Sequence, residues 1–341
     1  MADDHPIISI VVPSYNEQEN VRRLIDALRS VLEPITPEYE IIFVNDGSTD
    51  ETGDRVAVAH ADDPRVKLIE LSRNFGHQLA LMAGLDLAAG DAVITMDADL
   101  QHPPELVPDL LARWQAGDDV VHAVRQASGG GWGQRLMSQM SYRLLRRLCE
   151  VDILPNAADF RLLDRRVVDV MRRLRERFRF DRGLVRWLGF RQGHVPYREG
   201  TRTAGRPGYG FNQRVRLLTN AVFSLSSKPL ALVGMVGLFI SMGALVYLIF
   251  VLVATLLAPE RFGVQAGWAS ILATLLMLGG FQLVAIWLLG QYVGRTYEET
   301  KQRPPYIIAR GLGFDDVAVP REERPRLDLP LSGKTGTPSA M

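Results

Sequence analysis

Two carboxylates one residue apart, Asp97 and Asp99 in Met96-Asp97-Ala98-Asp99-Leu100-Gln101, close an apolar run that begins near residue 91. At the end of a buried strand such a pair can hold a divalent cation against a diphosphate. Hard Mg2+ or Mn2+ takes oxygen ligands and leaves positions open for phosphate. Gln101 offers a further carbonyl oxygen. Alone, two aspartates so spaced are a weak signal and commonly a polar turn; their place after an apolar strand strengthens the metal reading. Asn45-Asp46-Gly47-Ser48 closes an earlier apolar run. There Asp46 can accept hydrogen bonds from a base or ribose, or the segment can be a tight turn and helix cap. Pro13-Ser14-Tyr15-Asn16-Glu17 poses the same alternatives beside the same cleft. His77 and His102 neighbour these motifs, although histidine is common near such sites without ligating anything.

The elements that position these residues alternate. Ile7-Ile8-Ser9-Ile10-Val11-Val12 is a β-branched run stopped by Pro13, and residues 19–32 carry apolar side chains at helical spacing. Strands over 39–44, 66–71 and 91–96 then alternate with helices over 49–60 and 78–89. This order predicts an α/β domain with a mainly parallel sheet, whose ligands bind at the carboxyl ends of the strands. All three polar motifs fall at such ends. Residues 129–228 are less regular: a triple glycine at 129–131 marks a loop, and the arginine-rich stretch 161–191 reads as solvated helix faces.

Lys plus Arg and Asp plus Glu both number 39, so the net charge is zero and nucleic acid is not an expected partner. The lone Cys149 excludes an intrachain disulfide framework and a cysteine-rich zinc site. The first residues lack a basic segment and a long apolar run, which predicts a cytosolic N-terminal domain. Residues 230–258 and 264–294 contain no charged side chain, and each run exceeds the ~20 residues that span a bilayer. Arg214, Arg216 and Lys228 precede the first run, and Arg295, Lys301 and Arg303 follow the second. The positive-inside rule therefore predicts a hairpin with both ends cytoplasmic. Residues 211–228, with Arg214 and Arg216 among Val215, Leu217, Leu218 and Val222, read as a juxtamembrane amphipathic helix that either lies on the membrane or packs on the domain. Leu144, Leu145 and Leu148 among Arg143, Arg146 and Arg147 pose the same choice. The expected division is a cytosolic catalytic domain over 1–210, the amphipathic helix over 211–228, spans over 229–258 and 264–294, and a partly disordered cytosolic tail over 295–341.

The ordered set Val12-Pro13-Ser14-Tyr15-Asn16-Glu17, Val44-Asn45-Asp46-Gly47-Ser48-Thr49-Asp50, Leu71-Ser72-Arg73-Asn74-Phe75-Gly76 and Met96 to Gln101 resembles the family 2 glycosyltransferases of GT-A (Rossmann-like) fold. With the two spans it is similar to their polyprenyl-phosphate glycosyltransferases. The resemblance covers residues ~7–310 and is more specific to the group than to its sugar. It implies inverting transfer of a hexose from UDP-glucose, UDP-N-acetylglucosamine or GDP-mannose to a polyprenyl phosphate at the cytosolic face of a bacterial cytoplasmic membrane, for cell-envelope glycosylation. It further implies that Pro13, Tyr15, Glu17, Asp46 and Asp97 line the donor nucleotide site, and that Asp97, Asp99 and Gln101 hold Mg2+ or Mn2+. Asp99 and Asp159 would be catalytic, the latter in Ala158-Asp159-Phe160-Arg161-Leu162, which is similar to the family's Gly-Asp-Phe-Arg-Leu. Arg125, Arg135, Arg202 and Arg206 would bind phosphates. The departures are Ala158 for glycine and Pro207-Gly208-Tyr209 where many relatives carry Ser-Lys-Tyr; Arg206 would then replace the lysine.

A phosphate monoester is anionic near neutral pH, so Asp159 can orient the acceptor as well as deprotonate it. The larger demand is on the leaving nucleoside diphosphate, whose charge the metal and arginines would neutralise. A processive polysaccharide synthase shares the fold, but Gly183-Leu184-Val185-Arg186-Trp187 lacks the glutamine of that group's Gln-x-x-Arg-Trp motif. A non-catalytic adaptor would have little use for the retained carboxylates. A two-span transporter is opposed by spans without ionisable residues. Gly234, Gly237, Gly279 and Gly280 suit helix pairing within the chain or between copies of a homo-oligomer, and a flippase partner is expected by analogy.

Overall fold

The computed structural model describes residues 8–125, 157–177, 179–197, 228–257 and 268–314. Arg135, Arg202, Arg206, the stripe at 143–148, the amphipathic segment before Lys228 and the loop between the apolar runs lie outside the described residues.

The first five strands are β1 (Ile8–Ser14), β2 (Tyr39–Asn45), β3 (Val66–Leu71), β4 (Ala92–Thr95) and β5 (Val120–Arg125). β6 (Ala157–Asp164), β7 (Gln192–Tyr197) and β8 (Ile308–Leu312) complete one sheet, in the order β7-β5-β6-β4-β1-β2-β3-β8. Its centre is parallel: β1 pairs with both β2 and β4, and β2 with β3. β6 enters antiparallel between β4 and β5, a placement that the irregular pattern after residue 129 did not disclose. Because the chain leaves β1 toward β2 and β3 and returns on the other side to β4, the sheet has its switch point between β1 and β4. There the crevice opens outside the strands' carboxyl ends.

Helices cover both faces, which is why every residue of β1 and β2 is buried. Alternate residues go to opposite sides. Ile10, Val12, Ile41 and Phe43 meet α1 (Val21–Leu32) and α4 (Val107–Gln115) through Leu24, Leu28 and Leu110. Val11, Ile42 and Val44 meet α3 (His77–Leu87) through Leu81 and Leu85, in a cluster that also takes Val167 and Met171 of α5 (Arg165–Arg173) and Val185 of α6 (Asp181–Trp187). α2 (Thr52–Asp62) adds Val56 to the first cluster. Gly84 lets α3 lie close to the sheet, since a Cβ there would stand 2.3 Å from Val11 Cγ1.

α7 (Lys228–Leu257) and α8 (Trp268–Thr300) have 30 and 33 residues. At ~1.5 Å per residue both exceed the ~30 Å hydrocarbon core of a bilayer. Their apolar windows, Leu230–Tyr247 and Met277–Thr300, are 0% and 6% buried, so they are not core helices of the domain. Leu238, Phe239, Val246, Leu283 and Ile286 are exposed. Apolar surface on this scale needs an apolar environment or a partner.

The first part of the region after the second run, through residue 314, is built into the fold. α8 continues to Thr300, and β8 pairs antiparallel with β3, Leu312 facing Leu68 and Arg310 facing Glu70. Glu298 lies 3.6 Å from Arg177, whose backbone N–H donates to Glu299 Oε1 at 2.8 Å. The Tyr306 hydroxyl donates to Asp86 Oδ2, and the Ser72 N–H to the Ile307 carbonyl. The end of α8 is thereby fastened to the sheet and its covering helices. The residues after 314 lie outside the described part.

Candidate active site

Three loops meet at the carboxyl ends of β1, β2 and β4. Asn16, at φ 56°, accepts from the Thr49 N–H at 2.9 Å through its side chain, while its own N–H donates to Ser48 Oγ at 3.0 Å. The Glu17 N–H donates to Thr52 Oγ1, and the Gln18 N–H to Asp50 Oδ2. The Pro13–Glu17 and Asn45–Asp50 motifs therefore form one stitched rim. Tyr15 projects from it, 46% exposed, while Glu17 Oε2 accepts from Asn20 Nδ2 at 2.6 Å.

Asp46 is buried, and both its oxygens are taken: the Phe75 N–H donates to Oδ1 at 2.7 Å and the Gly76 N–H to Oδ2 at 2.9 Å. Burial raises its carboxyl above the usual range despite these two amides. Asp46 thereby fixes the position of the Arg73–Gly76 loop beside the cleft. Gly47, at φ 66°, allows that contact, because a Cβ there would meet Arg73 C at 2.5 Å and Asn74 N at 2.6 Å, both backbone. Gly47→Ala is expected to destabilise the fold by about 2 kcal/mol or more, the left-handed penalty adding to the clash. Chemical denaturation checks this; an unchanged midpoint would mean that the loop yields at no cost.

Asp97 begins the turn after β4, and Leu100 closes it at φ 60°. The Gln101 N–H donates to Asp99 Oδ1 at 3.1 Å. The Asp97 N–H donates to His102 Nδ1 at 3.1 Å, which leaves Nε2 as that ring's proton-bearing nitrogen, 3.7 Å from Asp97 Oδ2. The buried His102 ring is stacked on Phe160 at 5.1 Å, so the turn rests on a rigid base.

The antiparallel entry of β6 brings Asp159 to this turn. Thr95 faces Arg161 in the β4–β6 register, and the Thr95 hydroxyl donates to the Asp159 carbonyl. Asp159 Oδ1 accepts from Arg161 Nη2 at 3.1 Å and from Arg182 Nε at 3.1 Å, and Oδ2 from Arg182 Nη2 at 3.2 Å. His77 Nε2 lies 3.5 Å from Asp159 Oδ2 and 3.6 Å from Asp97 Oδ1, bridging the two carboxylates. Burial opposes ionisation of Asp159, but Arg182, His77 and Arg161 outweigh it and hold the carboxyl well below its usual value. Burial likewise opposes charge on His77, yet Asp159 and Asp97 raise it to about 9.

Of the residues singled out from sequence, Asp97, Asp99, Gln101 and Asp159 come together, with Pro13, Tyr15, Glu17 and Asp46 on the adjoining rim. Arg125 ends β5 opposite Tyr197, across β6 from this turn. The reading of 161–191 as solvated faces is corrected at two positions: Arg161 is 1% exposed, and Arg179 forms a buried ion pair with Asp181. Arg161 carried a usable signal, since i and i+2 on a strand share a face and an arginine flanked by Phe160 and Leu162 must turn toward Asp159. His77 was marked only by its place beside the motifs and Arg182 by nothing, because their partners are distant in sequence.

His122 of β5 is buried with Nε2 3.2 Å from Gln192 Oε1. Burial and the nearby Arg161 lower it to about 4 from an ordinary 6.5. Between those values the unfolded chain binds the proton and the folded one does not, so stability is full above pH 6.5 and falls as the pH drops toward 4. This group alone is expected to remove about 2 kcal/mol between pH 7.5 and 5. His122→Gln should flatten that part of a melting-temperature profile; parallel profiles would refute the assignment.

The sequence model described as Glycosyl transferase family 2 matches residues 9–172. The chain is 38% identical over 320 residues to the uncharacterized glycosyltransferase YkcC of Bacillus subtilis (strain 168), covering 94% of this chain and 98% of that one. It is 40% identical over 310 residues to the uncharacterized glycosyltransferase sll0501 of Synechocystis sp., covering 90% and 96%. It is 38% identical over 304 residues to the prophage bactoprenol glucosyl transferase homolog of Escherichia coli (strain K12), covering 89% and 98%. With the switch-point crevice, the aspartate turn and near full-length identity of this order, the chain belongs to glycosyltransferase family 2.

Proposed function

We propose that the chain transfers a hexose from a nucleotide-diphosphate sugar to the phosphate of a polyprenyl phosphate, with inversion, at the cytosolic face of a bacterial membrane. The observation that carries this reading is the juxtaposition of the Asp97–Asp99 turn with the arginine-bound Asp159, in a chain that also presents two exposed apolar helices. Relatives of similar length are named for bactoprenol, a polyprenyl carrier, and for glucosyl transfer, which favours glucose as the sugar.

Asp97, Asp99 and Gln101 fit Mg2+ or Mn2+ by chemistry, being oxygen donors on one turn. Among the described residues no group of three His, Cys, Asp or Glu could hold an ion by itself. The remaining positions of such a cation would be filled by substrate oxygens. When bound, the metal supplies positive charge against the leaving diphosphate. Pro13, Tyr15 and Glu17 line the donor side, Asp46 holds the 73–76 loop there, and Arg125, Arg135, Arg202 and Arg206 are assigned to phosphates. α7 and α8 would hold the prenyl chain in the bilayer, and the anchorage of α8 through Glu298, Glu299 and Tyr306 would keep the crevice at a fixed height above it.

The test is transfer from labelled UDP- and GDP-sugars to undecaprenyl phosphate in detergent with Mg2+ or Mn2+. One donor should give a chelator-sensitive, mild-acid-labile lipid product. Folded protein that makes none with any donor overturns the reading and favours a polymer-forming or non-catalytic chain.

A further inference from the structure

Asp159 is ringed too completely to be merely a base in waiting. Arg182 occupies both of its oxygens, Arg161 shares Oδ1, and His77 stands at Oδ2. Two guanidiniums thus share one carboxylate. The neighbouring Arg179–Asp181 pair is already balanced. Arg161 Nε and Nη1 are buried without hydrogen-bond partners, a cost that a native site seldom carries without a ligand or water to meet it. The two arginines differ in freedom: the Arg161 side chain is 1% exposed, that of Arg182 42%. Arg182 stands at the start of α6, just after the segment that Glu298 and Glu299 of α8 clasp through Arg177.

We propose that Arg182 receives the phosphate of the lipid acceptor, and that Asp159 is the positioning residue that holds its guanidinium in register until the phosphate arrives. This rests on the reading of the chain as a prenyl-phosphate glycosyltransferase. The acceptor monoester has a second pKa of about 6 and is largely dianionic near neutral pH. One of its oxygens forms the bond to the anomeric carbon while that carbon's bond to the nucleoside diphosphate breaks, the leaving group keeping the electron pair. No proton need be removed from the acceptor, so a carboxylate fully occupied by arginine is no handicap. The planar fork of Arg182 can pass from carboxylate to phosphate, a geometry that a lysine cannot copy.

The experiment measures acceptor KM, kcat and calorimetric donor affinity for wild type, Arg182→Gln, Arg182→Lys, Asp159→Asn and the Asp159→Asn/Arg182→Gln double variant. Undecaprenyl phosphate in detergent and a short water-soluble prenyl phosphate serve as acceptors. Arg182→Gln should raise acceptor KM by about 10- to 100-fold with both acceptors, as expected for losing a charged hydrogen-bond pair, and leave donor affinity within about twofold. Arg182→Lys should recover only part, and the double variant should be little worse than Arg182→Gln, because the two act as a unit. Reduced donor affinity with acceptor KM unchanged would overturn the assignment. So would an effect confined to the long-chain acceptor, or a collapse of kcat in Asp159→Asn at unchanged acceptor KM, which would restore Asp159 as a base. Wild type that glycosylates neither acceptor would instead overturn the proposed function itself.

Discussion

Asp99→Ala is expected to lower transfer by about 10³-fold while leaving the melting temperature within about 2 °C. The two halves of that expectation rest on different observations. Asp99 is half-buried and its Oδ1 accepts from the Gln101 N–H of its own turn, so the substitution removes a carboxylate from a partly solvated loop and not from the packed core. Surface-side truncations of this sort usually change stability by only about 0.5 kcal/mol. Under the proposed function activity should depend on it far more, because the leaving nucleoside diphosphate needs its charge neutralised as the bond breaks and Asp99 is proposed to hold the cation that does so. Chelation of wild type should reproduce the loss, and added Mn2+ should restore wild type but not the variant. Equal restoration of both would remove Asp99 from the metal site. Asp97 is a poorer choice for this test, since it lies between His77 and His102 and its removal would disturb both.

The parallel half of the sheet was legible because it is dictated locally. β1 to β4 are short apolar runs closed by polar turns, and each motif after them falls where a parallel sheet must bind its ligand. The helix bounds agree with the periodic pattern to within a few residues. What escaped the sequence is long-range. β6 and β8 pair antiparallel with strands far away in the chain, and nothing local to Ile308–Leu312 distinguishes an edge strand from a tail. The candidate site divides in the same way. Asp97, Asp99 and Gln101 are visible as a spacing, and Arg161 lies two residues from Asp159 on β6, whereas His77 and Arg182 reach Asp159 from two separate helices. Arginine density suggested solvated helices between 161 and 191. Burial of Arg161 and Arg179 reverses that because each has a carboxylate two residues away on its own chain.

The same pairing makes Asp159 a structural keystone as well as a site residue. Among the described residues Asp159 is the carboxylate that Arg161 bonds, and Arg161 Nε and Nη1 have no hydrogen-bond partner, so Asp159→Ala would leave Arg161 buried with that carboxylate gone. Breaking a buried pair from one side commonly costs about 3–5 kcal/mol, because a charge is stranded where water cannot reach it. Arg182 would lose the same partner, but its half-exposed side chain can turn to solvent, so most of the penalty belongs to Arg161. Stability to denaturant should therefore fall by about 3–5 kcal/mol in Asp159→Ala, and removing the stranded charge as well should return most of it. Asp159→Ala/Arg161→Met is the variant that does so, methionine matching the arginine stem in shape. Transfer should remain poor in the double variant, since Arg182 still lacks its anchor. If the single substitution were tolerated at full stability, or if the double variant were the less stable of the two, the buried pair could not be what secures β6 beside the aspartate turn.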